Sequence, residues 1–363
     1  MRKSKIVEVR GVKIGGGLPP VVQGMVKTDP LDIDATVDQI EKLQRAGAKL
    51  VRLAVPNVKV ARSISVIRDL VNIPLSADIH FNYRLALEVI DRGIDKVRIN
   101  PGNLSPREIS IIADKAKKSK VPIRVGVNSG SLPKKVLEEI SRIREDKQRR
   151  HRLMVEAMVD SALGCIRVLE DKGFEDIVVS LKASDVSVTI LANKIMAEKI
   201  NYPLHLGVTA TGPPPEGIIK SAIGLGSLLC EGIGDTIRVS LTADPIEEIK
   251  VAYQILKYLG FVDMGPTIIS CPTCGRKRGD VYSIVKQISK EVGKITSPLK
   301  IAVMGCEVNG PGEAIEADIG VACTTGGAVI FKKGRLLNKI RKEQIVPTLL
   351  KELRSMDHNL KGT

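Results

Sequence analysis

Three cysteines and one glutamate near the carboxyl end carry the residue types of a redox metal centre. They are Cys271-Pro-Thr-Cys274, then Cys306 and Glu313 at the two ends of Cys-Glu-Val-Asn-Gly-Pro-Gly-Glu. A C-x2-C pair puts two thiolates on one tight loop, and Cys306, 32 positions beyond Cys274, completes three corners of a tetrahedral set. Three thiolates on a cubane iron-sulfur cluster leave its fourth iron to another ligand. Glu313 closes the loop that Cys306 opens, and the glycines between them let the backbone wrap a bulky group. A carboxylate on iron exchanges more readily than a thiolate, which opens that corner to a substrate oxygen. Taken alone, Glu313 also reads as a helix-start carboxylate facing the dipole of the next segment. Structural zinc would call for a fourth Cys or His, whereas Cys323 lies in a strand-like run and His358 in the tail. Cys165 and Cys230 sit in apolar contexts, where a free cysteine acts as a small core hydrophobe.

A second set of reactive types is spread through the first two thirds of the chain. Arg52, Asp78, His80, Arg98, Asn100, Arg124, Asn128, Lys182, His205, Thr209, Arg238 and Ser240 lie within or just after short runs rich in Val, Ile and Leu. Those runs span 20–25, 50–55, 74–79, 96–99, 122–127, 177–181, 204–208 and 236–241, and helical stretches separate them. Such alternation predicts a parallel sheet with helical crossovers, and eight strands close a (β/α)8 TIM-type barrel. The carboxyl ends of barrel strands line one mouth. There Arg52, Arg98, Arg124, Lys182 and Arg238 would form an anion site suited to a phosphate or diphosphate. A loop carboxylate could neutralise any one of them, but the same strands hold too few carboxylates for all.

The helices follow from spacing. Val37, Ile40 and Leu43 repeat at helical intervals, Asp34 or Thr36 is expected to cap that helix, and Gly47 follows its end. The interval from Leu137 to Lys172 must hold two helices, and its mixed-sign run 142–152 reads as a solvated face. Phe261-Val-Asp-Met-Gly-Pro266 reads as a linker, so we expect a barrel over 1–262 and a small α/β domain over 263–363. In the latter the pattern predicts a helix at 281–292, strands at 300–304, 318–323 and 328–332, and a closing helix from about 344 to 354.

Bulk properties narrow the class. With 43% hydrophobic and 27% charged residues, the composition is that of a globular protein. The irregularly spaced cysteines suggest a reducing cytoplasm rather than a disulfide framework. No apolar run approaches the ~20 residues of a membrane helix, and the amino terminus lacks the apolar core of a signal peptide. A formal charge of +15 favours anionic partners, while 2% aromatic residues leave too few rings for a base-stacking surface.

Several motifs together make the chain resemble the bacterial 4-hydroxy-3-methylbut-2-enyl diphosphate synthases of the non-mevalonate isoprenoid route. They are Cys-Pro-Thr-Cys-Gly-Arg at 271–276, Asn-Gly-Pro-Gly-Glu-Ala at 309–314, Ala-Asp-Ile-His-Phe at 77–81, Ile-Asn-Pro-Gly-Asn at 99–103, Val-Gly-Val-Asn-Ser-Gly-Ser-Leu at 125–132 and Asp-Thr-Ile-Arg-Val-Ser-Leu at 235–241. The resemblance runs over nearly the whole length. It implies a [4Fe-4S] cluster on Cys271, Cys274, Cys306 and Glu313, in a domain of the sulfite/nitrite-reductase-like type. It also implies reductive ring opening and dehydration of 2-C-methyl-D-erythritol 2,4-cyclodiphosphate, with Glu313 and Cys306 at the catalytic corner. By the same carry-over Arg98, Arg124, Lys182 and Arg238, with Asn100, Asn128 and Ser240, hold the diphosphate. The resemblance further implies flavodoxin or ferredoxin as electron donor, docking on a basic surface, and a head-to-tail homodimer, with the cluster domain closing a barrel either in cis or in trans.

Two positions depart from the family pattern. Thr-Glu-Ala-Gly is here Thr209-Ala-Thr-Gly212, and Gln-Ser-Met is Gln23-Gly-Met25. Ala210 thus removes a carboxylate from the expected mouth, and His205 or Asp78 are the neighbouring groups able to replace it. One rival is therefore a paralogue that reduces a related diphosphate. The other is a zinc-containing, basic nucleic-acid-binding protein, which predicts colourless protein and salt-dependent binding. The cluster reading predicts brown protein with iron and acid-labile sulfide, and no nucleic-acid or membrane partner.

Overall fold

The computed structural model describes residues 1–143, 145–308, 312 and 315–361. The chain divides into two compact units, Met1–Val262 and Asp263–Thr363.

The first unit begins with a hairpin, β1 (Val7–Val9) and β2 (Val12–Ile14), paired antiparallel. Val9 and Ile14 pack with Val21 and Leu50, the first residues of two barrel strands, so the hairpin covers the amino-terminal end of the barrel. The barrel strands are β3 (Val21–Met25), β4 (Leu50–Ala54), β5 (Leu75–Asp78), β6 (Lys96–Ile99), β7 (Ile123–Asn128), β8 (Ile177–Lys182), β9 (His205–Leu206) and β10 (Thr236–Ile237). They form one eight-stranded sheet in the order β8-β7-β6-β5-β4-β3-β10-β9, and a parallel bridge from Val179 to Leu204 closes it. Side chains alternate across each strand. Val97 and Ile99 of β6 therefore turn outward to the helices, while Lys96 and Arg98 turn into the barrel, and all four are buried.

Among the described residues nine helices return the chain: α1 (Ile33–Arg45), α2 (Val58–Leu70), α3 (Tyr83–Asp91), α4 (Pro106–Ser119), α5 (Lys134–Arg142), α6 (Lys147–Asp171), α7 (Val186–Lys199), α8 (Glu216–Cys230) and α9 (Pro245–Tyr258). Their apolar stripes, such as Ile40 and Leu43 on α1 or Ile64 and Ile67 on α2, join the outward strand residues in one core. The cap of α1 is Asp32, whose Oδ1 accepts from Ala35 N at 3.0 Å, rather than Asp34 or Thr36. Thr36 is buried, and its hydroxyl donates to the Asp29 carbonyl instead. The mixed-sign run 142–152 spans the break between α5 and α6, where Asp146 caps α6.

β9 and β10 are shorter than the runs 204–208 and 236–241 suggest. Beyond Leu206 the chain passes through Gly207. A Cβ there would stand 2.6 Å from Lys182 Nζ and 2.7 Å from the Arg238 carbonyl, so the ladder ends at a crossing that tolerates only glycine.

The second unit holds β11 (Thr267–Ser270), α10 (Val281–Val292), β12 (Lys300–Met304), β13 (Ile319–Thr324), β14 (Gly327–Lys332), β15 (Arg335–Ile340) and α11 (Ile345–Lys361). The five strands lie in sequence order, β11-β12-β13 parallel and β13-β14-β15 antiparallel. Val281, Ile284 and Ile288 of α10 and Leu349 and Leu353 of α11 pack on Ile301, Val303 and Val321. β11 and β15 had no counterpart in the pattern reading. β15 is an exposed edge strand carrying Arg335 and Lys339, and such an edge has no inward face to impose alternation. Among the described residues no helix is long and apolar enough to cross a membrane.

Candidate active site

The interior of the barrel is charged rather than apolar. Inward positions on successive strands place Arg52, Asp78, Lys96, Arg98, Arg124, Lys182 and His205 in one enclosed space, each buried, with Arg238 half-buried beside them. Asp78 is the hub. Its Oδ1 accepts from Arg98 Nη1 at 3.0 Å, its Oδ2 lies 3.8 Å from Arg52 Nε, and His80 Nε2 lies 2.8 Å from Arg98 Nη1. Burial works to raise the Asp78 carboxyl, but Arg52, the His80 hydrogen bond, Arg98 and Arg124 outweigh it and hold it well below the usual range. Asp78 is a fixed anion, not a proton carrier at neutral pH.

The second counter-charge comes from a helix. Glu248 on α9 accepts from Arg238 Nη2 at 3.2 Å and from Leu241 N at 2.9 Å, and it lies 3.0 Å from Lys27 Nζ. Sequence reading missed it, because it looked for carboxylates on strands. The signal was present as a glutamate in the first turn of α9, a short loop after the strand run that contains Arg238. Lys96 was missed too, although its i, i+2 relation to Arg98 places both on one face of β6.

Cations exceed these carboxylates. Arg124 is fully buried, and its Nε and Nη1 have no partner among the described residues; Arg98 Nε and Arg238 Nε are likewise unpaired. Lys182 is pushed well below the usual lysine range by burial and then by Arg124, Arg52, Arg238 and Arg98. Burial, reinforced by Lys182, Arg124, Lys96 and Arg52, holds His205 well below its ordinary value, so its imidazole is neutral, with both ring nitrogens unpartnered. Ser76, Ser180 and Thr236 add unpaired buried hydroxyls. Buried polar groups ordinarily find partners, so this set is built to receive a polar, anionic guest. Two glycines make room for it: a Cβ at Gly126 would collide with the Arg98 guanidinium, and one at Gly207 with Lys182.

The remaining sequence-derived positions lie at the rim. Asn100 is buried but committed to the loop, donating to Ser131 Oγ at 2.7 Å and accepting from Gly102 N at 3.1 Å. Asn128, Thr209 and Ser240 are half-buried, and the Ser240 carbonyl accepts from Thr211 Oγ1. Ala210 is exposed, with φ at +50°, in the turn after β9. Gly24 points away from the mouth, since a Cβ there would meet Leu43 of α1 at 3.2 Å. That departure from the family pattern concerns helix packing and leaves the anion site untouched.

In the second unit the thiols share one end of the sheet. β11 and β12 are parallel neighbours, and Cys271 N donates to the Val303 carbonyl at 3.0 Å, so Cys271 and the Gly305–Cys306 turn leave the strands together. Thr273 N donates to Cys271 Sγ at 3.3 Å, and Arg278 N ties the following loop to the Gly305 carbonyl at 2.8 Å. Cys271 and Cys306 are half-buried and Cys274 is exposed, all as free thiols. Cys323 is buried on β13, its sulfur 2.6 Å from where a Cβ at Gly279 would stand. Glu313 lies outside the described residues, and among those described no three His, Cys, Asp or Glu side chains converge as a metal-holding group. In donor chemistry the three thiols on adjoining loops, one already accepting a backbone N–H, fit a thiolate-ligated iron-sulfur group.

Comparison with known proteins covers both units. The GcpE TIM-barrel domain model matches residues 4–253, and the GcpE protein C-terminal domain model matches residues 267–355. The 4-hydroxy-3-methylbut-2-en-1-yl diphosphate synthase (flavodoxin) of Thermodesulfovibrio yellowstonii is 48% identical over 354 residues, 97% of this chain and 99% of that protein. The enzymes of the same name from Caldanaerobacter subterraneus subsp. tengcongensis and Clostridium acetobutylicum are 49% and 47% identical, each covering 98% of this chain. Among solved structures, a dihydropteroate synthase from Coxiella burnetii aligns at 15% identity and a TM-score of 0.49, over 69% of this chain and 99% of that one. With a family model matched on each unit and relatives near half identity over almost its full length, the chain belongs to the GcpE family.

Proposed function

We propose that this chain converts 2-C-methyl-D-erythritol 2,4-cyclodiphosphate to (E)-4-hydroxy-3-methylbut-2-enyl diphosphate, the product for whose synthesis its relatives are named. One observation carries the assignment to the barrel: the buried Arg124 and Arg98 and the half-buried Arg238 keep unpaired, buried N–H donors in an interior with too few carboxylates. A diphosphate supplies both the charge and the acceptor oxygens that this space lacks.

The overall change adds two electrons. A carbon–oxygen bond to the diphosphate breaks, that oxygen stays on phosphorus, and a hydroxyl departs as water with a proton. Arg98, Arg124, Lys182 and Arg238 bind the diphosphate and stabilise the charge left on it. Asp78 and Glu248 act on the protein side, orienting Arg98, Arg52 and Arg238 toward the guest. Burial of the site excludes water and strengthens each of these contacts. Asn128, Thr209, Ser240 and His80 complete the rim, and Asn100 holds the loop beneath it.

Cys271, Cys274 and Cys306, with Glu313 as the exchangeable fourth ligand, would hold a [4Fe-4S] cluster in a domain of the sulfite/nitrite-reductase-like type. When bound, the cluster supplies electrons and a Lewis-acidic iron for a substrate oxygen. A flavodoxin, the donor in the relatives' names, or a ferredoxin would reload it. The exposed Arg276, Lys277 and Arg278 beside the thiol loop and Lys286 and Lys290 along α10 suit such an acidic partner, having no carboxylate partner among the described residues. We take the working enzyme to be a cytoplasmic homodimer.

Anaerobically reconstituted protein should contain iron and acid-labile sulfide and should form the linear diphosphate from the cyclodiphosphate with reduced viologen. An intact cluster without turnover would favour a related diphosphate as substrate, a reading to which Ala210 points because it removes a carboxylate from the mouth.

A further inference from the structure

One buried lysine has no task in the reading above. Lys96 on β6 is fully buried, and its ammonium nitrogen reaches a single neutral acceptor, Gln23 Oε1 on β3 at 3.5 Å. The charges acting on it are those of Arg124 on β7 and Arg52 on β4, while Lys182 on β8, itself held well below the usual lysine range, and the neutral His205 on β9 share the same interior. The barrel carboxylates are already engaged, Asp78 by Arg98 and Arg52, Glu248 by Arg238 and Lys27. An ammonium here would be a buried charge among like charges, which is unfavourable without a counter-ion. Burial first, then Arg124 and Arg52, accordingly hold Lys96 well below the usual lysine range and favour its uncharged amine while no anion is bound. Methionine would fill the same volume without that cost, so packing does not account for a lysine at this place.

We propose that Lys96 is the anion-gated floor of the barrel, an uncharged amine in the free protein that takes up a proton from solvent when a diphosphate enters the mouth. The step moves one proton and no electrons. The guest's negative charge, held by Arg98, Arg124, Lys182 and Arg238, reverses the local potential that keeps Lys96 neutral. Lys96 thereby adds attraction only in the bound state, and the free barrel avoids one more unpaired buried cation. It is a positioning residue, one layer below the groups that touch the guest.

The inference rests on the diphosphate reading of the mouth, and its test separates the two. Oxidised holoenzyme, which binds without turning over, is titrated calorimetrically at pH 8 with the cyclodiphosphate and with inorganic pyrophosphate. Buffers of different ionisation enthalpy then give the number of protons taken up. Wild type should take up protons, and Lys96→Met should take up about one fewer while binding roughly tenfold more weakly. In the free state Lys96→Met should melt no lower than wild type, and Lys96→Gln, which keeps a polar end, should show the same deficit in protons. Equal proton uptake by wild type and both variants overturns the proposal. Pyrophosphate binding with the expected proton difference, but no cyclodiphosphate binding, removes the substrate reading and leaves Lys96 in place; absence of any anion binding removes both.

Discussion

Replacing Arg124 by methionine should separate anion binding from stability. Arg124 is fully buried on β7, two of its nitrogens have no partner, and the first charges acting on it are those of Arg52 and Arg98. Methionine removes no ion pair and takes away a buried cation whose desolvation is costly, so the free protein should be at least as stable as wild type. The bound diphosphate loses two charge-assisted hydrogen bonds at ~1.5 kcal/mol each, ~3 kcal/mol together. At about 1.4 kcal/mol per decade this is roughly a 150-fold rise in Kd. Arg98→Met carries the opposite expectation for stability. Arg98 donates to Asp78 at 3.0 Å, and its loss leaves a buried carboxylate with Arg52 at 3.8 Å as its remaining guanidinium neighbour. Removing one partner of a buried pair costs about 3 to 5 kcal/mol, on the order of 10 °C in melting temperature for a unit of this size. Calorimetric titration with pyrophosphate and the cyclodiphosphate, alongside thermal unfolding, reads both quantities. If Arg124→Met binds as tightly as wild type, or melts as low as Arg98→Met, the reasoning fails, because either result means that Arg124 already has a counter-charge in the free barrel.

Three further expectations follow from other parts of the structure. His205 is buried and neutral with its pKa lowered, so below its unfolded value of about 6.5 the unfolded chain binds the extra proton; stability should fall with pH from there at up to ~1.4 kcal/mol per unit. Urea unfolding of His205→Met should lack that share of the slope, and an unchanged slope between pH 6.5 and 5 refutes the assignment. Lys277→Glu with Lys286→Glu should raise KM for reduced flavodoxin about tenfold or more and weaken its salt dependence, while viologen-driven turnover stays at the wild-type rate; an equal loss with both donors would place these lysines elsewhere in the reaction. In native apoprotein, iodoacetamide followed by mass mapping should label Cys274 readily and spare Cys165, whose thiol burial pushes up to about 12. Iron and sulfide reconstitution should then protect Cys271, Cys274 and Cys306 but not Cys230, which lies exposed at the end of α8 rather than in the core that its apolar context suggests, and uniform labelling of all four after reconstitution counts against a thiolate-held cluster.

Much of the barrel was legible because its signals are local. Strands buried on both faces are written as continuous Val/Ile runs, and arginine or lysine inside such a run, as at Arg98, Arg124 and Lys182, has few explanations other than a polar interior. That Cys271 and Cys306 would leave the sheet on adjoining loops was also suggested by their spacing, because a shared ligand would constrain residue type and spacing together. The cap of α1 was misplaced by two or four residues, because Asp32, Asp34 and Thr36 all suit a helix start and only Ala35 N, by pointing at Asp32, discriminates them. β15 escaped because an exposed edge strand needs no alternation.

Residue type and order alone thus determined that this chain would alternate strand and helix, gather cations at strand ends and present three thiols on two loops. Only the tertiary structure decided which charges face one another. Asp78 serves as a fixed hub between Arg98 and Arg52, Glu248 reaches in from α9 to Arg238, and Lys96 is left with a neutral amide as its partner. The physical reason is that the state of a buried charge depends on desolvation and on neighbours far apart in sequence, neither of which a local pattern records.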